Sequence, residues 1–543
     1  MNKYINKILS ASLIGLFTIT GCSALDKESI DFQQVQVNAL RTGNNQDDAV
    51  VRAIFSGNEK PKTIFDVREK LEKLGGKFKT HIVANRGHDN PEEGSFSFFE
   101  TYSGPMEGGT VEEGELFIGF FTEKQGNKLV VQQSFEPGLM IELIAWDYKK
   151  HLYNFWELVG NGKTSEWHFR GDTQDILADI SRVNLGITGT VFEAPRLRCS
   201  GCHTMGTPIM KEIEKPNNDW WTSANKLKLG SLKLQAGNDP KNPENVAAKL
   251  FMNATDVSNL STQVKKGIDR LVASHVQQNL SMKLQLRSLF TTMEMNLATD
   301  TLPFEKRTGG NINIPSDFFI DSRLTGKKSD VQVSASVYRQ VLQSSGSKFA
   351  ADETSGLIDS HHAFVVPVRS YVDNRIIDSL IQSGILDNEL VADILAIDFT
   401  TPVFSKARLS LLKYVPDNVS NINDLRRQLI KNLSEATNDP LAQELLKNIN
   451  DPTRTAVYHK QKAVEYLNIC LKNGNSVEAI TDWLKIASQR RKEIVASDIS
   501  KNPRGQITEP GFRVIFPINN INVKPGQFSL NPETGRISIL KKR

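Results

Sequence analysis

The chain has 543 residues, too many for one hydrophobic core, so three or four structural units are expected. Its 39% hydrophobic and 24% charged residues are ordinary for a globular protein. A net charge of +4 without basic clustering gives no sign of a nucleic-acid surface, and no nucleic-acid partner is expected.

Two lysines, Lys3 and Lys7, precede an apolar run from Ile8 to Ile19. That run is shorter than the ~20 residues that cross a bilayer, so it reads as the h-region of a secretory signal. Its end, Ile19-Thr20-Gly21-Cys22, resembles the lipobox of bacterial lipoproteins. The resemblance implies a signal peptide at 1–21, cleavage before Cys22 and lipid on that cysteine; an ordinary signal peptide with an incidental cysteine is the alternative. Several acyl chains at ~0.8 kcal/mol per buried methylene make a stable anchor. Ser23, non-acidic, implies sorting to the outer membrane in lipoproteins of this kind, facing the periplasm. No later segment has ~18 uninterrupted apolar residues, so lipid is the one membrane attachment expected.

A polar tether is expected over 22–48. Period-two alternation then predicts strands at Phe96–Thr101, Glu115–Thr122, Leu129–Gln133, Leu139–Asp147, Leu152–Val159 and Glu166–Phe169, with turns at Glu123–Asn127 and Gly160–Gly162. A mainly antiparallel β domain is therefore expected at 49–185, closing on a helix at Asp172–Val183 capped by Asp172. From about Leu197 the period becomes helical, with helices expected at Glu244–Met252, Val257–Leu271 and Met282–Leu297 inside a unit at 190–305. A Gly/Asn/Pro-rich linker at Thr308–Ser316 leads to a mostly helical unit at 318–500. Its helices are expected at Val331–Ser344, Asn374–Ser383, Glu389–Ile397, Ile422–Ala436 and Thr455–Asn473, and Asn475 with Glu478 has capping spacing before Ile480–Ala487. A tail at 501–543 holds short strand-like runs, Phe512–Phe516 and Arg536–Leu540. The fold class expected is α+β, in several domains.

The chemistry concentrates at Cys199-Ser200-Gly201-Cys202-His203. Covalent haem needs two thiols on one face to take up the two vinyl groups and an imidazole beneath the iron; spacings of three and four residues on a helical turn supply both. Zinc would want a second ligand pair, and the one remaining unassigned cysteine, Cys470, lies far along the chain. A redox dithiol uses the same CxxC, but after a strand and without need of the histidine. A Pro-Arg-containing loop precedes the motif here.

The motif is the c-type haem attachment signature, and the stretch from Arg196 to Trp221 resembles a single-haem cytochrome c module. The resemblance implies one haem c on Cys199 and Cys202, with His203 as proximal iron ligand and the central unit as a helical cytochrome c-like domain. Gly206-Thr207-Pro208 is similar to a Gly-x-Pro element whose proline carbonyl accepts the proximal Nδ1 proton. That puts Pro208–Met210 on the proximal side and argues against Met210, while Met205 is too close to His203. The distal ligand stays open among Met252, Met282, Met293, Met295 and His275, with Met252 the mild favourite, and an open or water-occupied site as the alternative; core packing is the bland role of each.

Asp219-Trp220-Trp221 could wall the haem or simply pack. His361 and His362 are adjacent, so they rarely face one ion. Cys470, in an apolar helical stretch, reads as a buried small hydrophobe. No nucleophile elbow, phosphate loop or zinc-protease motif stands out. Three functions follow: a lipid-anchored one-electron carrier with an unidentified redox partner protein, a haem peroxidase or oxidase, and a haem-bearing binding or sensor lipoprotein. Single CxxCH spacing favours the non-catalytic carrier.

Overall fold

The computed structural model describes residues 46–57, 59–84, 96–177, 198–201, 203, 205–208, 221–223, 229, 233–235, 237–239, 241–275, 281–290, 295–298, 309–328, 330–338, 340, 366–403, 405–472, 478–483, 508–509, 513–514, 528–531 and 536–539. The expected signal peptide and Cys22 lie outside them.

An α-helix that the strand pattern concealed precedes the sheet. Thr63 and Asp66 form a reciprocal capping box at the start of α1, Ile64–Lys73, which buries Ile64, Val67 and Leu71. The strands β1 (Lys77–Ala84), β2 (Phe96–Met106), β3 (Gly109–Val111), β4 (Leu116–Gln125), β5 (Lys128–Val131), β6 (Gly138–Asp147), β7 (Leu152–Gly160) and β8 (Ser165–Asp172) follow. They make an antiparallel sheet in the order β1-β2-β4-β6-β7-β8, with β3 returning on β2 and β5 on β4. All six strands expected from the alternation are present, within a few residues of their expected bounds. Ahead of them, Asp48 bridges to Asp147 of β6. Its buried carboxylate accepts from Asn154 Nδ2 at 2.7 Å and Trp156 Nε1 at 3.0 Å, and burial raises its pKa.

Both faces of the sheet are covered. On one, α1 sends Arg68 to Glu100 in an ion pair, and the Tyr102 hydroxyl reaches the Leu71 carbonyl. The other face carries Tyr153 and Phe155, which alternate with Asn154 and Trp156 along β7. Just past β8, Asp172 Oδ1 accepts from the backbone of Gln174 and Asp175, and residues 173–177 are helical, so the expected cap is in place. The rest of the expected helix, 178–183, lies outside the described residues.

After the motif, α2 (Pro243–Met252) starts at its cap Asn242 and sends Phe251 edge-on to Phe96 and Phe98. Helix α3, Val257–His275, lies against the sheet on the Tyr153 face. There Arg270 pairs with Glu115 at 3.2 Å, Ser274 Oγ donates to the His151 carbonyl at 2.7 Å, and Lys266 pairs with Glu113. The helices that follow the motif thus rest on the β-sheet.

Helix α4, Met282–Phe290, is shorter than expected: the chain leaves it for strand β9, Met295–Ala298. Apolar Met293 and Leu297 continue the helical spacing in sequence, but β9 pairs with β12 (Val366–Arg369), far along the chain. The expected linker at 308–316 likewise contains strand β10 (Asn311–Pro315), followed by the short α5 (Ser322–Thr325) and by β11 (Asp330–Ser334), which pairs with β10. Val331–Ser344 is therefore a strand at its start; residues 335–338 are helical. Beyond β12 the helices α6 (Tyr371–Gln382), α7 (Asn388–Ala396), α8 (Lys406–Leu411), α9 (Ile422–Glu435), α10 (Pro440–Asn450) and α11 (Thr455–Lys472) follow. Of these, α8 and α10 were not expected, although Asp439 caps α10 with Pro440 at its first position. The described residues of the tail include the short strands β13 (Thr508–Glu509), β14 (Arg513–Val514), β15 (Phe528–Leu530) and β16 (Ile537–Ile539). The protein is mixed α+β, with its antiparallel sheet in the N-terminal half and helices dominating the C-terminal half. Among the described residues no helix is long and apolar enough to cross a membrane.

Candidate functional site

Arg198–Gly201 forms one turn of 3-10 helix, and the His203 amide donates to the Cys199 carbonyl at 2.8 Å. Cys199 and His203 therefore stand one helical turn apart, as the spacing implied. Cys199 is half-buried and packs against the core; Cys202 lies outside the described residues.

The chain then reverses tightly. Gly206 has φ +64° and its amide donates to the His203 carbonyl at 2.7 Å. The next carbonyl, that of Thr207, accepts from His203 Nδ1 at 2.8 Å. A carbonyl only accepts, so Nδ1 carries the proton and the lone pair of the neutral ring is on Nε2. The expected acceptor was Pro208. The left-handed Gly206 turns the following peptide back toward the ring one residue sooner, and Pro208 instead packs beside Gly267 of α3.

The sheet takes part in holding this turn. The Phe155 ring lies 5.1 Å from the His203 ring, the planes inclined at 50°. Thr173 Oγ1 donates to the Gly206 carbonyl at 2.7 Å and accepts the Tyr153 amide at 3.1 Å. Tyr153 in turn donates its hydroxyl to the Gly114 carbonyl at 2.5 Å, beside Gly267. None of these partners is near the motif in sequence. On β8, His168 stands opposite Glu157 in register, and Glu157 holds the buried Arg170 at 2.8 Å. Glu157 alternates onto the same face of β7 as Phe155.

Two hydroxyls at the turn, Ser200 Oγ and Thr207 Oγ1, are buried and have no hydrogen-bond partner among the described residues. Buried hydroxyls are costly when unmet, so each marks a place where a bound group or water would be satisfied. Together with a histidine whose Nδ1 is already engaged and a half-buried thiol one turn away, this donor set fits a haem edge: Cys199 to attach it and His203 Nε2 to face its iron. Among the described residues no group of three or more His, Cys, Asp and Glu side chains is placed to hold a metal ion.

The distal candidates scatter. Met252 is 67% exposed at the end of α2, turned out of the core. Met282 is buried at the start of α4, where its amide donates to the Asp417 carbonyl. Met295 belongs to β9 and His275 ends α3, while Met293 and Met210 lie outside the described residues. Met205 is buried within the turn itself. Trp221 extends the sheet edge, its amide donating to the Ile82 carbonyl at 2.8 Å; Asp219, Trp220, His361 and His362 lie outside the described residues. Cys470, expected to be buried, is half-exposed near the end of α11, at the edge of the stripe formed by Lys460, Ala463, Val464 and Leu467.

His81 of β1, unlike the half-buried His203, is fully buried. Its Nδ1 lies 3.1 Å from the Phe99 carbonyl, and burial pushes its pKa down to about 4. Strands β2, β4 and β6 separate β1 from β7, so His81 is apart from His203.

Compared with known proteins, the chain matches no family model, no curated protein and no solved structure.

Proposed function

We propose that the protein is a lipid-anchored c-type cytochrome that passes single electrons, with one haem attached through Cys199 and Cys202 and His203 as its proximal ligand. Cys22 carries the lipid, and the outer membrane, on its periplasmic face, is the expected location. One observation carries this reading: the 2.8 Å bond from His203 Nδ1 to the Thr207 carbonyl, which assigns the tautomer that a ligating imidazole needs.

Haem supplies a one-electron iron couple when bound. The chain's own residues then hold the imidazole. The Thr207 carbonyl keeps the proton on Nδ1 and makes Nε2 a stronger donor, the Phe155 ring limits rotation, and buried Met205 excludes water from the turn. Ser200 and Thr207 offer two buried hydroxyls to whatever lies against the turn.

Voltammetry and absorption spectroscopy on the exported protein test the carrier role. A reversible one-electron couple with a six-coordinate spectrum is expected. A five-coordinate ferric haem that turns over hydrogen peroxide rapidly would replace the carrier with a peroxidase.

A further inference from the structure

The hydroxyl of Thr173 hydrogen-bonds both the sheet backbone and the reversed turn that orients His203. Thr173 is fully buried where β8 gives way to the helical turn at 173–177. Its Oγ1 accepts the Tyr153 amide of β7 at 3.1 Å and donates to the Gly206 carbonyl at 2.7 Å. The approach is close. A Cβ on Gly206 would fall 2.8 Å from the Thr173 Cα, so the turn lies directly on the Thr173 backbone. The residue after Gly206, Thr207, supplies the carbonyl that accepts the hydrogen bond from His203 Nδ1–H.

We propose that Thr173 is a positioning residue for the axial imidazole: its hydroxyl anchors Gly206 to β7, and so fixes the strength of the His203–Thr207 bond and the grip of His203 on iron. The proposal rests on the haem reading of the motif. A tightly held Nδ1–H gives the imidazole more anionic character, which strengthens its bond to iron and favours the oxidised state. Slackening the anchor therefore raises the reduction potential and lets protons displace the imidazole sooner. Outer partners of ligating histidines typically change metal affinity by roughly 10-fold or more when removed. For a one-proton displacement, 10-fold reads as about one pH unit.

The test uses the full exported holoprotein with Thr173→Val, which keeps the shape and removes the hydroxyl, and Thr173→Ser, which keeps the hydroxyl. Haem content is measured first by the pyridine haemochrome, then the midpoint potential and the pH at which acid releases the imidazole from ferric iron. The expected result is a raised potential and an acid transition about one unit higher in Thr173→Val, with Thr173→Ser close to wild type. A Thr173→Val protein that loses urea stability but keeps the wild-type potential and acid transition overturns the positioning role. So does a Thr173→Val protein that never accumulates while Thr173→Ser is normal, because the hydroxyl is then a folding requirement. Absence of a c-type band in the wild type removes the haem reading, and the role with it; a band with unchanged variants removes only the role.

Discussion

Phe155 and His203 meet ring to ring, 5.1 Å between centroids, although one belongs to the β-sheet and the other to the CxxCH turn. The sheet is thus a wall of the site, and a substitution in β7 is felt at the histidine. Phe155 is 1% exposed, so Phe155→Ala removes a packed ring as well as the imidazole's neighbour. A loss of roughly 3–5 kcal/mol is expected in urea unfolding, with Phe155→Leu costing less than about 1.5 kcal/mol. Equal, negligible costs for both would show that the ring is not packed there.

Gly206 gives a sharper steric test. Gly206 and Gly126 share φ +64°, but a Cβ on Gly126 meets nothing within 4 Å, whereas one on Gly206 meets Thr173 at 2.8 Å. Gly126→Ala should cost about 1 kcal/mol for the backbone alone. Gly206→Ala adds an overlap worth roughly 1–3 kcal/mol more, and should also reduce haem incorporation because the Thr207 carbonyl moves off His203. Matching midpoints for the two variants in denaturant would contradict the close approach.

The buried His81 makes stability depend on pH in a stated direction. Its folded pKa is about 4, against an ordinary value of 6.5. Between those values the unfolded chain binds a proton that the folded chain does not, so stability is lost as pH falls from about 6.5 to 4. The full shift corresponds to about 3 kcal/mol. His81→Gln removes this dependence, so wild type should lose stability relative to the variant across that window, measured by urea unfolding at each pH. A constant difference between them would contradict the burial of a neutral imidazole.

Much of the sheet was legible because its hairpins are local and alternate cleanly. Leu139–Asp147 and Leu152–Val159 carry the period-two pattern and pair across a short turn. Helix α1 escaped notice inside that pattern, yet Thr63 and Asp66 at capping spacing, with Ile64, Val67 and Leu71 on one face, spell it out. Strands β9 and β11 did not read as strands, because their apolar residues also satisfy helical spacing and their partners are not local: β12 for β9, and β10 across α5 for β11.

The site divides along the same line. Cys199 and His203 are one helical turn apart by local geometry, so spacing alone revealed them. Thr173, Tyr153 and Phe155 join them only through the folded sheet, and no local signal marks them. Thr207 replaced Pro208 as acceptor because the positive φ of Gly206 decides which carbonyl turns inward, a detail the residue types leave open.

The most direct test of the haem account is a pyridine haemochrome spectrum with intact mass on the exported protein, wild type beside Cys199→Ala. The account predicts a c-type band and the added mass of one haem in the wild type, and no stable attachment in Cys199→Ala. A wild-type protein with no haem band, whose mass is that of the lipidated polypeptide alone, would contradict it.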